Sequence, residues 1–164
     1  MIDIKIMQDA SEIIRYDSDK LPYAIQERLL SQFTERRALC HWHPDIECIR
    51  IYEGSMCYEI NGEQILLQTG DIVIVNSGQL HYGYAHDDED CKFCVELIHP
   101  DIFKTNLHIY QENVYPIIHA SGITYWLYHK EDSNYQQVAS LLDQIFDIRN
   151  NPKDSMLCLL NGLF

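Results

Sequence analysis

The feature that most restricts the fold is a series of short apolar runs between about residues 38 and 97, rich in Ile, Val and Tyr. Turn-forming pairs and triplets separate these runs: Gly54-Ser55, Asn61-Gly62, Thr69-Gly70-Asp71 and Asn76-Ser77-Gly78. Short strands that recur roughly every 8–12 residues with turn signals between them are typical of antiparallel sandwiches and barrels. The sequence therefore predicts a mainly β domain.

One turn also predicts a strand register. Asn61-Gly62 favours a type I′ turn, because both central residues of that turn take positive φ. A two-residue loop then fixes three cross-strand pairs: Ile60–Glu63, Tyr58–Ile65 and Met56–Leu67. Strand alternation puts the last two pairs on one face, which we expect to be the interior. A buried tyrosine hydroxyl needs a hydrogen-bond partner, so Tyr58 is the residue of this face that we expect to contact a ligand.

Residues 41–47 (HWHPDIE) have the residue types and spacing of a metal site. His41 and His43 are two positions apart, and Glu47 keeps their parity unless the intervening proline introduces a bulge, so on one strand the three side chains face the same way. His81 is a candidate fourth ligand. Imidazoles and a carboxylate on one surface suit Fe, Mn, Ni or Zn. Without a metal, the same groups are polar residues that line a small-molecule pocket.

Two motifs resemble those of the cupin family. One segment, His41-x-His43-x3-Glu47-x6-Gly54, fits the first cupin motif. A second segment, Gly70-x5-Asn76-x-Gly78-x2-His81, resembles the second cupin motif. Asn76 stands where the second motif usually has proline, and Ala85 replaces its final Asn. The resemblance implies a cupin-type double-stranded β-barrel, or jelly roll, in which His41, His43, Glu47 and His81 hold the ligand positions for a divalent transition metal (Zn, Ni, Fe or Mn).

More narrowly, the chain resembles the N-terminal sensor domain of an AraC-family transcriptional regulator. The stretches that carry the resemblance are residues 41–47, 53–54, 60–62 and 70–76, and two C-terminal amphipathic helices extend it over roughly residues 10–164. It implies a barrel that binds an effector, helices that dimerise, and a C-terminal helix-turn-helix pair that reads DNA. The residues that we expect to bind the effector are His41, His43, Glu47, Tyr58 and His81.

Helical periodicity replaces the strand pattern towards the C-terminus. Residues 133–136 (SNYQ) read as a capping box, and apolar residues follow at helical spacing. These residues are Val138, Leu141, Leu142, Ile145 and Ile148. A second, antiparallel helix is predicted from Asp154 or Ser155 to Phe164. So wide an apolar surface exceeds what a monomer usually exposes, so we expect a homodimer through the first helix.

These patterns predict two segments. Residues 1–130 form a cupin sensor barrel with an N-terminal arm, and residues 131–164 form a helical dimerisation and linker segment. We expect the chain to be truncated before a C-terminal helix-turn-helix domain that it does not contain, because it ends on an apolar run.

Charge and cysteine content restrict partners and location. The chain has 12 Lys+Arg against 25 Asp+Glu, a net charge of −13. A generic nucleic-acid binder is excluded, because binding to phosphates needs a basic face; we expect DNA contact only through the missing domain. The sequence has neither a signal peptide nor an apolar run of about 18 residues, so we expect no membrane association. Six cysteines without an export signal read as reduced thiols of a cytoplasmic protein.

Three functions remain open from the sequence. The first is a ligand-sensing and dimerisation domain of an AraC-type regulator, which is not an enzyme, requires no cofactor and binds a small effector, with a sugar as one candidate. The alternative is a stand-alone cupin metalloenzyme, a dioxygenase or isomerase, that uses the His/His/Glu/His site. The third is a sugar-binding cupin without regulation. The net negative charge of the chain disfavours an anionic effector, unless an arginine near the site binds the anion. The candidate arginines are Arg15, Arg28 and Arg50.

Overall fold

The computed structural model describes residues 2, 4–17 and 21–150, and of residues 148–150 only the backbone. Within these residues, eight strands form two antiparallel sheets. The strands are β1 (Tyr23–Leu29), β2 (Ile46–Glu53), β3 (Ser55–Ile60), β4 (Glu63–Gln68), β5 (Ile72–Val75), β6 (His81–Ala85), β7 (Lys92–Ile98) and β8 (Tyr125–Tyr128). The large sheet has the order β1-β7-β2-β5-β8, and the small sheet has the order β4-β3-β6. This is the predicted mainly β, cupin-type barrel.

Helical segments lie outside the two sheets. They are three 3-10 turns (Leu30–Gln32, Thr34–Arg36 and Pro100–Thr105), α1 (Leu107–Ile109), a π-helical turn (Tyr110–Val114), α2 (Tyr115–Ile118) and α3 (Tyr135–Asn150). The helix predicted after residue 133 is confirmed as α3, whereas the predicted helix at residues 154–164 lies outside the described residues. No described helix is long and apolar enough to cross a membrane.

The facing sides of the two sheets enclose the main core. The small sheet contributes Met56, Tyr58 and Leu67, which are at most 3% exposed. The predicted hairpin register is confirmed, since β3 and β4 pair Ile60 with Glu63, Tyr58 with Ile65 and Met56 with Leu67. Asn61 and Gly62 both have positive φ, as a type I′ turn requires.

Helix α3 covers the outer face of the large sheet. Tyr135, Ala139 and Leu142 pack with Cys48 and Ile72. Ile145 joins a second outer cluster that includes Ile25 and Cys94. Two of the residues predicted to mediate dimerisation, Leu142 and Ile145, are therefore buried within one chain. Val138 is half-buried, Leu141 is exposed, and the side chain of Ile148 lies outside the described part.

Residues 11–16 and 105–130 lie on either side of the main β region. The apolar run at residues 11–16 forms no strand, and Ser11 and Glu12 make only isolated bridges. Residues 105–130, for which the sequence pattern predicts no element, contain β8, which pairs with β5 and completes the large sheet.

The five described cysteines are free, in agreement with the reduced thiols that the sequence predicts, and Cys158 lies outside the described residues.

Candidate metal and effector site

Four side chains converge inside the barrel, two from strands β2 and β6 and two from the segment that precedes β2. His41, His43, Glu47 and His81 are all buried, and one ligand atom of each lies within 4.8 Å of the others. Glu47 belongs to β2 of the large sheet, and His81 begins β6 of the small sheet. The His41 backbone amide donates to His81 O at 3.1 Å, and the His81 amide donates to His41 O at 2.8 Å. An isolated pair of backbone bonds therefore fixes the segment that carries His41 beside strand β6.

His41, His43 and Glu47 do not share one continuous strand, so the expectation of a single strand is wrong. β2 begins at Ile46, and a bend at Pro44 and Asp45 separates it from the two histidines. The bend is held by neighbouring residues, since Ser77 Oγ donates to Pro44 O at 2.7 Å and the Gly78 amide donates to His43 O at 2.9 Å. The bend retains the common direction that strand parity predicted for the three side chains.

Backbone carbonyls fix the tautomer of all three imidazoles. Nδ1 of His41 lies 2.7 Å from Leu39 O, Nδ1 of His43 lies 3.2 Å from Asp45 O, and Nδ1 of His81 lies 2.8 Å from Gln79 O. A carbonyl only accepts hydrogen bonds, so each Nδ1 carries a proton, and each Nε2 is the ring atom that can bind a cation or a second proton.

Glu47 is the acceptor at the centre of this arrangement. Tyr58 Oη donates to Glu47 Oε1 at 2.5 Å, while Nε2 of His43 and of His81 lie 3.2 and 3.5 Å from Oε2. Burial alone would raise the pKa of Glu47, but the two histidines outweigh it and hold that pKa well below its usual range. Burial and the neighbouring carboxylate raise the pKa of Tyr58, which keeps its hydroxyl protonated. The site thus holds a carboxylate that needs positive charge beside it.

The donor set fits a divalent transition metal. Three imidazole Nε2 atoms and one carboxylate match the ligand preferences of Zn, Ni, Fe or Mn. Nε2 of His81 is buried without a hydrogen-bond partner among the described residues, as an atom reserved for a metal would be. The Nδ1–carbonyl bonds are the outer contacts that orient histidine ligands in metal sites.

The N-terminal arm, residues 2 and 4–17, adds a carboxylate that the sequence motifs do not include. Glu12 Oε2 lies 3.0 Å from His41 Nε2. The arm is fixed near this contact, since the Glu12 amide donates to Trp42 O at 2.9 Å and Tyr16 Oη donates to Asp45 Oδ1 at 2.9 Å. Burial lowers the pKa of His41, but the bonds and charges of Glu12 and Glu47 outweigh it and raise that pKa overall. No local sequence signal predicts this contact, because Glu12 and His41 are 29 positions apart in the sequence.

A cavity of about 590 Å³ extends from the cluster through the barrel to the arm. Of the five residues expected to bind an effector, His41, Glu47 and Tyr58 line the cavity, whereas His43 and His81 are not part of its wall. The volume is typical of a small-molecule site. Of the candidate arginines, Arg15 and Arg28 line the cavity, and Arg50 instead pairs with Asp143 on the outer face of the sheet at 2.5 Å.

Comparison with known proteins gives a consistent family assignment. The model of a family described as "AraC-like ligand binding domain" matches residues 26–159. The HTH-type transcriptional regulator YdeC of Bacillus subtilis (strain 168) is 26% identical over 145 residues, which are 88% of this chain and 48% of that protein. The chain thus spans about half the length of this curated relative.

The chain also aligns with solved structures. ToxT of Vibrio cholerae strain SCE256, solved with an unsaturated fatty acid bound, aligns with a TM-score of 0.52 and 14% identity over 91% of this chain and 55% of that one. A cupin 2 conserved barrel protein of Salinispora arenicola aligns with a TM-score of 0.43 and 14% identity over 60% of this chain and 89% of that one.

Proposed function

Because the chain belongs to the AraC-like ligand-binding domain family, we propose that it is the effector-sensing and dimerisation part of a cytoplasmic transcriptional regulator. The observation that carries the proposal is the cavity that runs from the buried His/Glu cluster to the N-terminal arm. The helix-turn-helix domain that reads DNA would lie outside this chain, in keeping with the share of the YdeC length that the chain covers. In this view residues 1–130 sense the effector, and residues 131–164 link and dimerise.

The arm provides a physical link between ligand binding and conformation. Glu12, Ile13, Ile14 and Arg15 of the arm form part of the cavity wall, so an entering ligand must contact or displace them. A ligand that binds one position of the arm more tightly than another shifts the equilibrium between them. The difference between the binding free energies of the ligand for the two arm positions sets the free energy that the effector can transmit to the rest of the regulator.

Helix α3 is the second link. Strand β2 carries Glu47 and Ile49 on its inner face, and Cys48 and Arg50 on its outer face beneath α3. A change inside the barrel that moves β2 therefore acts directly on the helix packed outside. We propose that α3 also forms the homodimer contact, with exposed Leu141 on the partner side and Leu142 and Ile145 on the barrel side.

The His/Glu cluster gives the sensor an optional metal. His41, His43, Glu47 and His81 would hold the ion, which would polarise an oxygen or nitrogen of the effector bound to it. Tyr58 would hold Glu47 in place through the hydroxyl that it donates. The same ligand set supports a second candidate function, a stand-alone cupin metalloenzyme of the dioxygenase or isomerase class.

A small-molecule screen by thermal unfolding tests the proposal. We expect at least one member of a chemically broad library to raise the Tm of the chain, because a ligand that binds only the folded state stabilises it. Val95→Trp, which places a bulky side chain on the cavity wall, should remove that response. If no compound raises the Tm of the unaltered chain more than it raises the Tm of the Val95→Trp variant, effector binding is contradicted. Catalytic conversion of a compound in the presence of metal and oxygen would instead favour the cupin metalloenzyme.

A further inference from the structure

Glu12 brings a second carboxylate to the buried cluster from the N-terminal arm. Its Oε2 lies 3.0 Å from Nε2 of His41, and both side chains are largely buried. Nδ1 of His41 donates to Leu39 O, so Nε2 meets the carboxylate as an acceptor. Two acceptors approach this closely only with a proton or a metal ion between them. The contact therefore marks a place that attracts a cation.

Charge balance favours a second carboxylate at a divalent ion. Three neutral imidazoles and the Glu47 carboxylate would leave such an ion with one uncompensated positive charge, and all four of these side chains are buried. Uncompensated charge in an interior is costly. Asp45 is another buried carboxylate nearby, but its Oδ2 lies 3.9 Å from Nδ1 of His43, beside the ring atom that does not face the cluster. Glu12 would bring the charge of the ion and its ligands to zero.

Main-chain bonds hold the arm beside the cluster. The Glu12 amide donates to Trp42 O at 2.9 Å, and the Trp42 amide donates to Ala10 O at 3.0 Å. Trp42 stands between the two histidines of residues 41–43, so the segment that carries two of the four ligands also anchors the arm. The position of Glu12 therefore does not depend on its contact with His41 alone.

We propose that Glu12 is a further ligand of the metal at the His/Glu cluster, so that the ion is held by three imidazoles and two carboxylates and ties the N-terminal arm to the barrel. This inference rests on the metal site of the proposed function, because it adds a ligand to that site. The set exceeds the four ligands that Zn²⁺ usually takes, and it suits Fe²⁺, Mn²⁺ or Ni²⁺ with a larger coordination shell. Because Glu12 also lines the cavity, the ion would hold one part of the cavity wall in place.

Titration of the whole chain with Co²⁺ tests the assignment. Co²⁺ binds the same ligand types, and its visible absorption bands depend on the ligands bound to it. The unaltered chain should bind about one Co²⁺ per chain. Glu12→Gln should bind Co²⁺ at least about tenfold more weakly and with altered visible bands, because a charged ligand is replaced by a neutral amide.

Two further variants serve as controls. Glu47→Gln is the positive control and should weaken Co²⁺ binding in the same way, because Glu47 belongs to the four-residue site. Asp9→Asn is the matched negative control, since it removes a carboxylate of the same arm that bonds to Ser11. It should leave the affinity and the visible bands unchanged. Circular dichroism and Tm confirm that each variant is folded.

Hydrogen exchange of the arm gives a second readout. Co²⁺ should slow the exchange of peptides that cover residues 4–17 of the unaltered chain, because the ion ties Glu12 to the barrel. In Glu12→Gln the same ion should leave the exchange of the arm unchanged. Faster exchange of the arm when Co²⁺ binds the unaltered chain would show that the ion displaces Glu12, and it would overturn the inference.

The affinities separate failure of the inference from failure of the metal site. Tighter Co²⁺ binding by Glu12→Gln would show that the carboxylate competes with the ion for His41, and it would refute Glu12 as a ligand. Unchanged binding by Glu12→Gln, with weakened binding by Glu47→Gln, would refute Glu12 alone and leave the four-residue site. If the unaltered chain binds no Co²⁺, the site and its further ligand are both wrong, while the thermal screen of compounds decides separately whether the barrel binds an effector.

Discussion

Glu47 is the residue on which the buried polar cluster depends. Its carboxylate accepts from Tyr58 and lies within 3.5 Å of two imidazole Nε2 atoms, in an interior that otherwise penalises charge. Removing it would leave the Tyr58 hydroxyl and the two imidazoles without their acceptor. Its neighbours in sequence, Ile46 and Cys48, face away from the cluster because strand alternation separates them from it.

The first prediction concerns metal binding by this cluster. After incubation with Zn²⁺ or Ni²⁺ and desalting, the unaltered chain should retain about one metal ion per chain. Glu47→Gln should lower the affinity at least about tenfold, because it replaces a charged ligand with a neutral amide. His129→Ala is the control, since His129 bonds to Asp71 outside the cluster. Elemental analysis measures the result, and equal metal content in Glu47→Gln and the unaltered chain would contradict the site.

A second buried carboxylate, Glu96, gives a prediction about pH. Glu96 lies on β7 between Ile25 and Cys48, on the face that α3 covers, and its Oε2 has no hydrogen-bond partner in the described part of the chain. Burial raises the pKa of Glu96 to about 8, with Arg50 opposing the rise and Asp143 assisting it. A carboxyl whose pKa is raised by folding is neutral in the folded state and favours that state at low pH. Its contribution is lost as pH rises from about 4.5 to 8.

Glu96→Gln should therefore remove a pH-dependent loss of stability. Between pH 5 and pH 8.5 the free energy of unfolding of the unaltered chain should fall relative to that of the variant, by up to about 4 kcal/mol. Chemical denaturation at several pH values measures this, with the exposed substitution Glu112→Gln as the control. A constant difference across this pH range would show that Glu96 does not titrate there.

At the scale of elements, Asn76 explains one departure from the cupin motif. Its Nδ2 donates to Ile117 O at 3.0 Å and to Ile123 O at 2.9 Å, so it fixes the segment between α2 and β8. Proline at this position would lack those donors, and it would also lack the backbone amide that Asn76 donates to Thr124 O at 2.9 Å. The asparagine thus holds β8 against β5.

The third prediction follows from these bonds. Asn76→Ala should lower the free energy of unfolding by about 2–4 kcal/mol, because it leaves two acceptors of the 117–123 segment without their donor. Hydrogen exchange should increase first at β8. Asn113→Ala is the matched control, since Asn113 is exposed and makes one long bond of 3.4 Å. Equal stability of the two variants would mean that β8 is held by its strand pairing alone.

Local signals predicted the elements that depend on neighbours in sequence. The β3–β4 register followed from Asn61-Gly62 and two alternating strands, and the convergence of His41, His43 and Glu47 followed from their parity. Two features that the sequence did not predict depend on contacts between residues that are far apart in the chain. Strand β8 has only four residues and no alternation of buried and exposed side chains, and the Glu12–His41 pair forms only once the arm folds back.

At the scale of the whole molecule, two adjacent leucines on α3 separate barrel packing from self-association. Leu142 is 6% exposed and packs on the large sheet, whereas Leu141 is 38% exposed. Of the predicted dimer residues whose side chains are described, Leu142 and Ile145 therefore pack on the barrel, whereas Leu141 faces outward.

The last prediction is that the chain forms a homodimer through the outward side of α3. Sedimentation of the unaltered chain at tens of micromolar should show a dimer, because a symmetric contact removes Leu141 from water. Leu141→Glu should give a monomer with nearly unchanged Tm, since Leu141 is exposed and belongs to neither cluster beneath α3. Leu142→Ala should instead destabilise the fold by about 2–5 kcal/mol through the cavity that it leaves under α3. If the unaltered chain sediments as a monomer, or if Leu141→Glu remains dimeric, another surface must join the two copies. The exposed apolar side chains Leu107, Tyr115 and Ile117 around α1 and α2 would be the next to substitute.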